Sequence, residues 1–597
     1  LKCPSAAREA AFPAAAPSAA RAPSDREASV WAARSQPGRA RGARCQARGR
    51  WKPAGAARSG KRGPLDRRAA PGRRRAGSCG SSCVATESSG RFAMEAPELT
   101  SKQEIINIQI GKAGNAMAHE FWRDLCDEHD IHWNSEDTKG QYHPQDDFPD
   151  HLHVFFNEGS RGRDNAMRWV PRSILMDLNM ADLSAITQDP LGDLYRPENI
   201  IGNDEGSGNC YAKAYHTDGP ELADQCLEMV RKEIERCNCL QGIQFVHSVS
   251  GGTGSGLTGL VMRVLRDYLD GDKVIMQNFS LLPSKGQSDM LVEPYNASLS
   301  LADIINYSDQ CFVFDNSALT DICQKSLRMD VPKMAKLNNI IALCMSGISS
   351  GLRFTGRLNV DLRKLHVNLV PYKRMKFLLT SFAPLGAEAN KKYRQLSAQD
   401  LAQQMMSKEN ITCKVDPQHP GSQQEGVPMA RFLASWAAWR GKWQTSDVDQ
   451  IIHDIWKERS RYDKFFPDWI PNPIGSNICE APHCDVKDSV VFVTNNTAVA
   501  NKLKEVRQSW DLMYKAQSYI HVFTNEGLDR DELKSSADNM LDVADEYDHF
   551  ALHPDKILGF NDSPHEQAEI EQELLRFQNM DGSDKEVMRL GSRRGAY

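Results

Sequence analysis

No stretch of this 597-residue chain is apolar over the ~20 consecutive residues that a membrane-spanning helix needs, so no membrane partner is expected. The 15 cysteines are scattered; Cys237-Asn238-Cys239 is the tightest pair in the body, and no His or Cys cluster completes a metal set around it. Reduced thiols in a cytosolic protein, with no structural metal, are the expectation. Methionine is absent before Met94, and residues 1–93, rich in Ala, Arg, Gly, Pro and Ser, have no hydrophobic periodicity. Also missing is the Gly-Lys-Ser/Thr that closes a Walker A loop. The GxGxxG dinucleotide fingerprint is absent too: residues 111–116 read Gly-Lys-Ala-Gly-Asn-Ala, which argues against a Rossmann oxidoreductase.

Charge is unevenly placed. Residues 1–93 carry 20 Lys+Arg against 5 Asp+Glu, a net of +15, and the remainder carries 53 against 73, a net of −20, summing to the −5 of the whole. An acidic body does not suit a nucleic-acid binder. Residues 1–101 are therefore expected to be a disordered basic extension outside the fold. A polyanion-binding arm and a transit peptide are alternatives; translated upstream sequence, with the protein proper starting at Met94, is the reading carried forward.

The rest of the chain is organised around Ser248-Val249-Ser250-Gly251-Gly252-Thr253-Gly254-Ser255-Gly256. A short apolar run precedes it, Ile243 and Phe245 on one face and Val246 on the other, which reads as a buried strand. Leu257, Leu260, Val261, Val264, Leu265 and Tyr268 follow at helical spacing. Strand, Gly-rich turn and helix present backbone N–H groups and a positive helix end to an anion, with Thr253 and Ser255 as added hydroxyl donors. Upstream, Ile106, Ile108 and Ile110 alternate as a strand. Gly111-Lys112-Ala113-Gly114-Asn115 then leads into a helix with Met117, Phe121 and Leu125 on one face. Val274–Leu282 reads as a further buried strand, and Cys311–Asn316 as a strand ending in polar residues.

These motifs resemble the tubulin family from about Glu104 to Tyr547. The central loop resembles GGGTGSG with Ser250 for the first glycine, and residues 111–116 resemble GQCGNQ with Lys112 in place of a phosphate- and magnesium-contacting Gln. Val170–Asn179 resembles VPRAVLVDLEP, keeping Asp177 but placing Asn179 where the family has a Glu associated with the nucleotide's magnesium. Gly206–Lys213 resembles the AGNNWAKG loop around the terminal phosphate, with Gly208 and Asn209 in place. Ser288–Asn296 resembles SDTVVEPYNA, with Asp289 and Glu293 toward the ribose. Asn316 and Asn338 match base-contacting Asn residues, and Met334 stands where an aromatic usually stacks on the base.

The resemblance implies the tubulin fold: an α/β GTPase domain with a Rossmann-like, mostly parallel sheet at 102–315, an α+β intermediate domain at 316–500, C-terminal helices at 501–560 and a polar tail at 561–597. It implies GTP as ligand, bound by Lys112, Asp177, Gly208, Asn209, Ser248, Gly251, Gly252, Thr253, Gly254, Ser255, Asp289, Asn316 and Asn338. Mg2+ is implied as companion, but an amide at Asn179 is a poorer ligand than a carboxylate and puts that requirement in question. Asn359 and Asp361 fit the GxxNxD loop that one subunit inserts against its neighbour's nucleotide. Lys364 stands where α-tubulin has a water-positioning glutamate, as in β-tubulin. Partners implied are other tubulins, head-to-tail, and microtubule or centriolar proteins, in the cytoplasm and cytoskeleton. Lys112, Ala116, Asn179 and Met334, with no acidic tail, depart from ordinary β-tubulin and point to a divergent class, zeta-tubulin at basal bodies being the one expected. The alternative is a non-hydrolysing tubulin-fold scaffold that binds centriolar or microtubule partners.

Overall fold

The computed structural model describes residues 104–552, apart from 135–137, 144–150, 160–166, 270–272, 285, 287–289, 359, 387–396, 422–427, 458–461, 468, 471, 473 and 484–485. Asp289, Asn359, the N-terminal extension and the polar tail thus lie outside the described residues. Among the described residues eleven strands form one sheet and two form a ribbon. In chain order the strands are β1 (Glu104–Ile110), β2 (Phe156–Glu158), β3 (Trp169–Pro171), β4 (Ser173–Asp177), β5 (Ile200–Gly202), β6 (Leu240–Ser248), β7 (Ile275–Leu282), β8 (Gln310–Asp315), β9 (Gly356–Leu358), β10 (Phe377–Ala383), β11 (Phe432–Arg440), β12 (Ile474–Cys479) and β13 (Ser489–Asn496). The sheet order is β5-β4-β1-β6-β7-β8-β10-β13-β11-β12-β9, with β2 and β3 forming the ribbon. Pairing is parallel from β5 through β10; β13 runs antiparallel to both its neighbours.

Residues of β1, β4, β6, β7 and β8 are almost all buried, as expected of parallel strands covered on both faces. Ile106, Ile108 and Ile110 face one apolar layer with Ile243 and Phe245, while Ile105 and Val246 face the other. The alternation legible in the sequence therefore distributes side chains between two cores. One row of the second face is polar. Asn107, Gln244, Gln277 and Gln310 stand in register across β1, β6, β7 and β8, and their amides bond in a chain at 3.5, 2.8 and 3.0 Å. Each amide carries both donor and acceptor, so the ladder satisfies the two inner glutamines, while Asn107 Oδ1 and Gln310 Nε2 at its ends are buried without a side-chain hydrogen bond.

Helices α1 (Gly111–Glu128), α2 (Met180–Thr187), α3 (Gly219–Glu235), α4 (Thr258–Tyr268), α5 (Glu293–Tyr307), α6 (Asn316–Lys325), α7 (Met334–Arg353) and α8 (Leu362–Leu369) alternate with these strands. Met117, Phe121 and Leu125 of α1 are buried with α7 on one side of the sheet; α3, α4 and α5 cover the other. On α4 the buried stripe is Val261, Met262 and Leu265, while Tyr268 is exposed, so the packed face is rotated toward Met262 from the one the spacing suggests. Helices Val499–Lys515 and Arg530–Leu552 pack on α5, placing Met540, Val543 and Tyr547 in the same core. The expected boundary at 315–316 falls where α6 begins on the residue after β8, and β10 continues the sheet beside β8.

The far end of α1 is a buried ion cluster. Glu128 receives Arg353 and Arg440 and a hydroxyl from Ser346, and His483 approaches within 3.2 Å. Both guanidiniums lie over the Phe354 ring, at 5.0 and 5.5 Å. Burial alone would raise the Glu128 carboxyl; the two arginines and His483 hold it well below the usual carboxylate range.

Candidate nucleotide-binding site

The strand order β5-β4-β1-β6-β7-β8 is that of a doubly wound sheet. From β1 the chain builds β4 and β5 on one side, then returns to build β6, β7 and β8 on the other. The crevice at the carboxyl ends of β1 and β6 is the switch point at which such sheets take ligands. Two turns meet there. Gly111 has φ +77, and a Cβ on it would stand 3.0 Å from the Gly254 nitrogen; a Cβ on Gly114 would stand 2.3 Å from the Val246 carbonyl. Glycine alone lets the start of α1 press against the loop that follows β6.

That loop winds into α4 through a π-helical turn, Thr253–Leu257, and the Gly206–Lys213 loop leads into α3 through another, Lys213–Thr217. Such wide turns recur at functional sites. The N–H groups of Gly251 to Gly254 lie at the start of the helical segment, where no earlier turn supplies acceptors. Gly206, Gly208 and Asn209 have φ of +70, +56 and +58, a left-handed stretch that turns the chain around the loop. Nothing lies within 4 Å of a Cβ built on Gly206, Gly208 or Gly251. These glycines border open space, whereas Gly252 is packed, with the Cys210 nitrogen and Ser207 Oγ each 2.6 Å from its would-be Cβ.

The two loops are tied by a residue that the sequence reading did not assign. Asn296, buried on the first turn of α5, donates from Nδ2 to the Asn209 carbonyl at 2.8 Å and the Ser250 carbonyl at 3.0 Å, and accepts from the Tyr211 N–H at 3.1 Å. Only its place within Glu293-Pro294-Tyr295-Asn296 marked it beforehand. The hydroxyls expected to face a phosphate are used within the protein. Thr253 donates to Ser207 Oγ at 3.1 Å, Ser255 bonds the Gly251 and Gly252 carbonyls, and Ser248 Oγ pairs with Ser250 Oγ at 2.8 Å. Backbone N–H groups, and one hydroxyl proton of the Ser248–Ser250 pair, remain for an anion.

Beneath the loop lies His247, a second residue missed by the sequence reading because a lone His inside a strand carries no local signal. The Gly254 carbonyl can only accept, so Nδ1 carries the proton and donates to it at 2.9 Å; Nε2 then accepts from Ser280 Oγ at 2.8 Å. Burial lowers the imidazole to about 4, against the opposing bonds to the Gly254 and Ser248 backbone, so His247 is neutral. Thr258 Oγ1 bonds the same Gly254 carbonyl at 2.8 Å.

Beside the α1 turn stand Asp177, at the end of β4, and Asn179. Asp177 Oδ1 accepts from the Asn179 N–H at 3.3 Å, but its buried Oδ2 has no partner, nor has the buried Oδ1 of Asn115. Burial first, and Asp182 nearby, raise the Asp177 carboxyl to about 6, against the Asn179 and Leu178 N–H groups and Lys112. Asn179 caps α2 through Ala181 N at 3.2 Å and donates to Asp182 at 2.9 Å; Lys112 Nζ meets the other Asp182 oxygen at 3.0 Å.

On the far side of the crevice Asp315 caps α6 through Ser317 N at 2.8 Å, receives the Ser284 hydroxyl and pairs with buried Lys502 at 2.8 Å. This anchors Asn316, the next residue. α6 packs against α7, which carries Asn338; neither amide has a side-chain partner among the described residues, and both are half-buried. Met334, one turn before Asn338, is 59% exposed.

Asp361 is not at this site. It precedes α8, whose Leu362 packs on Gly242 and whose Leu362 N–H bonds Gln241, at the beginning of β6. Gly242 and Ser248 are six steps apart on β6, about 20 Å at ~3.3 Å per residue. Lys364 is exposed on α8. The structure thus gathers Lys112, Asp177, Gly208, Asn209, Ser248, Gly251, Gly252, Thr253, Gly254, Ser255, Asn316 and Asn338 at the carboxyl ends of the strands and puts Asp361 at the opposite ends.

Among the described residues no group of three or more His, Cys, Asp or Glu could hold a metal ion, and no helix is long and apolar enough to cross a membrane.

Comparison with known proteins agrees with this geometry. A model of the GTPase domain of the Tubulin/FtsZ family matches residues 104–324, and one of the tubulin C-terminal domain matches residues 373–508. The chain is 39% identical over 449 residues to the tubulin beta-3 chain of Oomycete-like sp. (strain MacKay2000), an alignment covering 75% of this chain and 95% of that protein.

Proposed function

Since the chain belongs to the tubulin family, we propose that it binds GTP at the carboxyl ends of its parallel strands and assembles head-to-tail with other tubulins, the loop before α8 of one subunit completing the nucleotide site of the next. The observation that carries this is the separation just described. The phosphate loop follows β6, while Asp361 and Lys364 lie by its beginning, so they reach a nucleotide only across a subunit contact. Stacking subunits along the strand direction brings the two ends together. Gly251 to Gly254 hold the phosphates through N–H groups, and Asn316 and Asn338 offer donor and acceptor to the guanine edge.

Asn359 and Asp361 would position the neighbour's nucleotide for hydrolysis. Lys364 is a donor-only cation and cannot take a proton or orient water as a carboxylate does. Hydrolysis from contacts between copies of this chain is therefore slow, which also supports a second reading, a non-hydrolysing scaffold. Lys112, Ala116, Asn179 and Met334 favour a divergent class; zeta-tubulin, with partners at centrioles or basal bodies, is the placement we carry. The domain division we carry is GTP-binding at 102–315, intermediate at 316–500, C-terminal helices at 501–560 and a polar tail at 561–597.

The nucleotide content of the purified protein tests the core reading. Co-purifying GTP or GDP is the expected result, and an empty site leaves the scaffold. Phosphate release against protein concentration then tests hydrolysis. A slow, flat rate is expected for the wild type and a rate rising with concentration for Lys364→Glu. Fast release from the wild type would mean that another residue activates water.

A further inference from the structure

A divalent ion at this site would need free oxygens, and the chain offers few. Mg2+ is held by carboxylates, waters and substrate phosphates in a near-octahedral shell. Both oxygens of Asp182 are engaged, one by the Lys112 ammonium at 3.0 Å and one by the Asn179 amide at 2.9 Å. The Asn179 oxygen is spent on capping α2, and Asp177 Oδ1 on the Asn179 N–H. Among the described residues beside the α1 turn, Asp177 Oδ2 and the neutral Asn115 Oδ1 are left, and the single carboxylate oxygen lies within the field of Lys112, whose positive charge would oppose a dication. The donor set does not fit a resident Mg2+.

It fits an ammonium. Lys112 is the second residue of α1, directly after Gly111, which touches Gly254 of the phosphate loop. Its side chain is 79% exposed and is held by a single ion pair. Such a surface pair is weak, so the four-carbon stem is free to swing from Asp182 toward a phosphate bound over Gly254. The geometry points to Lys112 as the cation of this nucleotide site: its ammonium, not a divalent metal, neutralises the phosphates, and the chain binds guanine nucleotides without Mg2+. Asp182 and Asn179 act as its dock when the site is empty. This rests on the nucleotide reading above and concerns only which cation accompanies the ligand.

The test is calorimetric titration of the nucleotide-stripped full chain with GTP and with GDP, in Mg2+ buffer and in EDTA. The wild type should bind with affinities that agree between the buffers within about two-fold, because no metal contact is lost. Lys112→Gln should weaken binding in both buffers by about 10- to 100-fold, the worth of a charge-assisted contact. Its thermal midpoint without nucleotide should be unchanged, since the side chain is exposed. The double variant Lys112→Gln with Asn179→Glu adds a carboxylate beside Asp177 and should regain affinity in Mg2+ alone. A wild type that loses ten-fold or more affinity in EDTA overturns the inference, as does Lys112→Gln binding like the wild type. Absence of binding in both buffers removes the nucleotide reading itself, and the inference with it.

Discussion

Helix α1 joins two polar regions of opposite design. Its first turn stands in the nucleotide crevice, where buried polar atoms are left open: Asn115 Oδ1 and Asp177 Oδ2 have no partner, and three glycines border empty space. Its last residue, Glu128, sits among Arg353, Arg440, Ser346 and His483, its carboxylate bonded on both oxygens. The first region is short of charge partners and rich in glycine; the second is dense in charge and closed. An unpaired buried polar group costs about 1–3 kcal/mol, so a fold that leaves several together at a switch point leaves them for a ligand. A buried ion cluster that satisfies itself reads instead as structure. Their protonation differs in the same sense. Burial holds Asp177, Asp303 and His247 toward their neutral forms, while the arginines keep Glu128 ionised.

The contrast can be broken from either end. The largest effect is expected at the closed end. Glu128→Ala strands two buried guanidiniums and should cost about 3–5 kcal/mol in urea unfolding, with nucleotide affinity of the folded fraction unchanged. A parallel loss of affinity would show that the cluster serves the site. At the open end, Gly252→Ala meets backbone at 2.6 Å and should lower stability by about 1–3 kcal/mol as well as abolish nucleotide binding. Gly251→Ala faces open space, so it should leave the nucleotide-free midpoint unchanged and weaken binding alone; equal stability losses in the two variants would erase the distinction between packed and ligand-facing glycines.

Asn338→Ala sharpens the comparison on the base side. It should cost about 1–3 kcal/mol of GTP affinity and erode the preference over ATP. Equal binding of GTP and ATP by the wild type would remove Asn316 and Asn338 as readers of the base.

The last effect is a net one with pH, because buried groups around the crevice oppose each other, His247 against Asp303 and Asp177. His247 falls from 6.5 to about 4 on folding, so the unfolded chain binds the extra proton and stability is lost as pH drops from 6.5 toward 4. Asp303, which accepts the Tyr211 hydroxyl, rises from 3.8 to about 7, chiefly through burial. The folded chain then binds the extra proton, and its stability is full below 3.8 and lost as pH rises through 7. Asp303→Asn should therefore gain stability relative to the wild type as pH is raised from 4 to 7, by paired thermal melts. A constant difference across that range would mean that Asp303 does not titrate there.

Much of this was legible in the chain. Period-two apolar runs at Ile106–Ile110 and Ile243–Val246, and the Gly-rich turn after the second, determined strands, a turn and a parallel sheet, because backbone geometry ties those patterns to local conformation. The loops carrying Gly208, Asn209 and Gly251 to Gly254 were located by motif, since a turn that presents free N–H groups to an anion needs glycine at fixed spacing. Tertiary structure alone decided which polar atoms are spent and which are open. Asn296 became a positioning residue and the Thr253 hydroxyl turned to Ser207 because residues more than 40 positions apart pack at one crevice, and His247 is fixed between the Gly254 carbonyl and Ser280 on the next strand; the Ser255 hydroxyl turned inward onto carbonyls of its own turn. It alone put Asp361 at the opposite strand ends from the phosphate loop. Sequence spacing specifies neighbours along the chain; the direction a buried hydrogen bond takes is set by whichever distant segment excludes water from it.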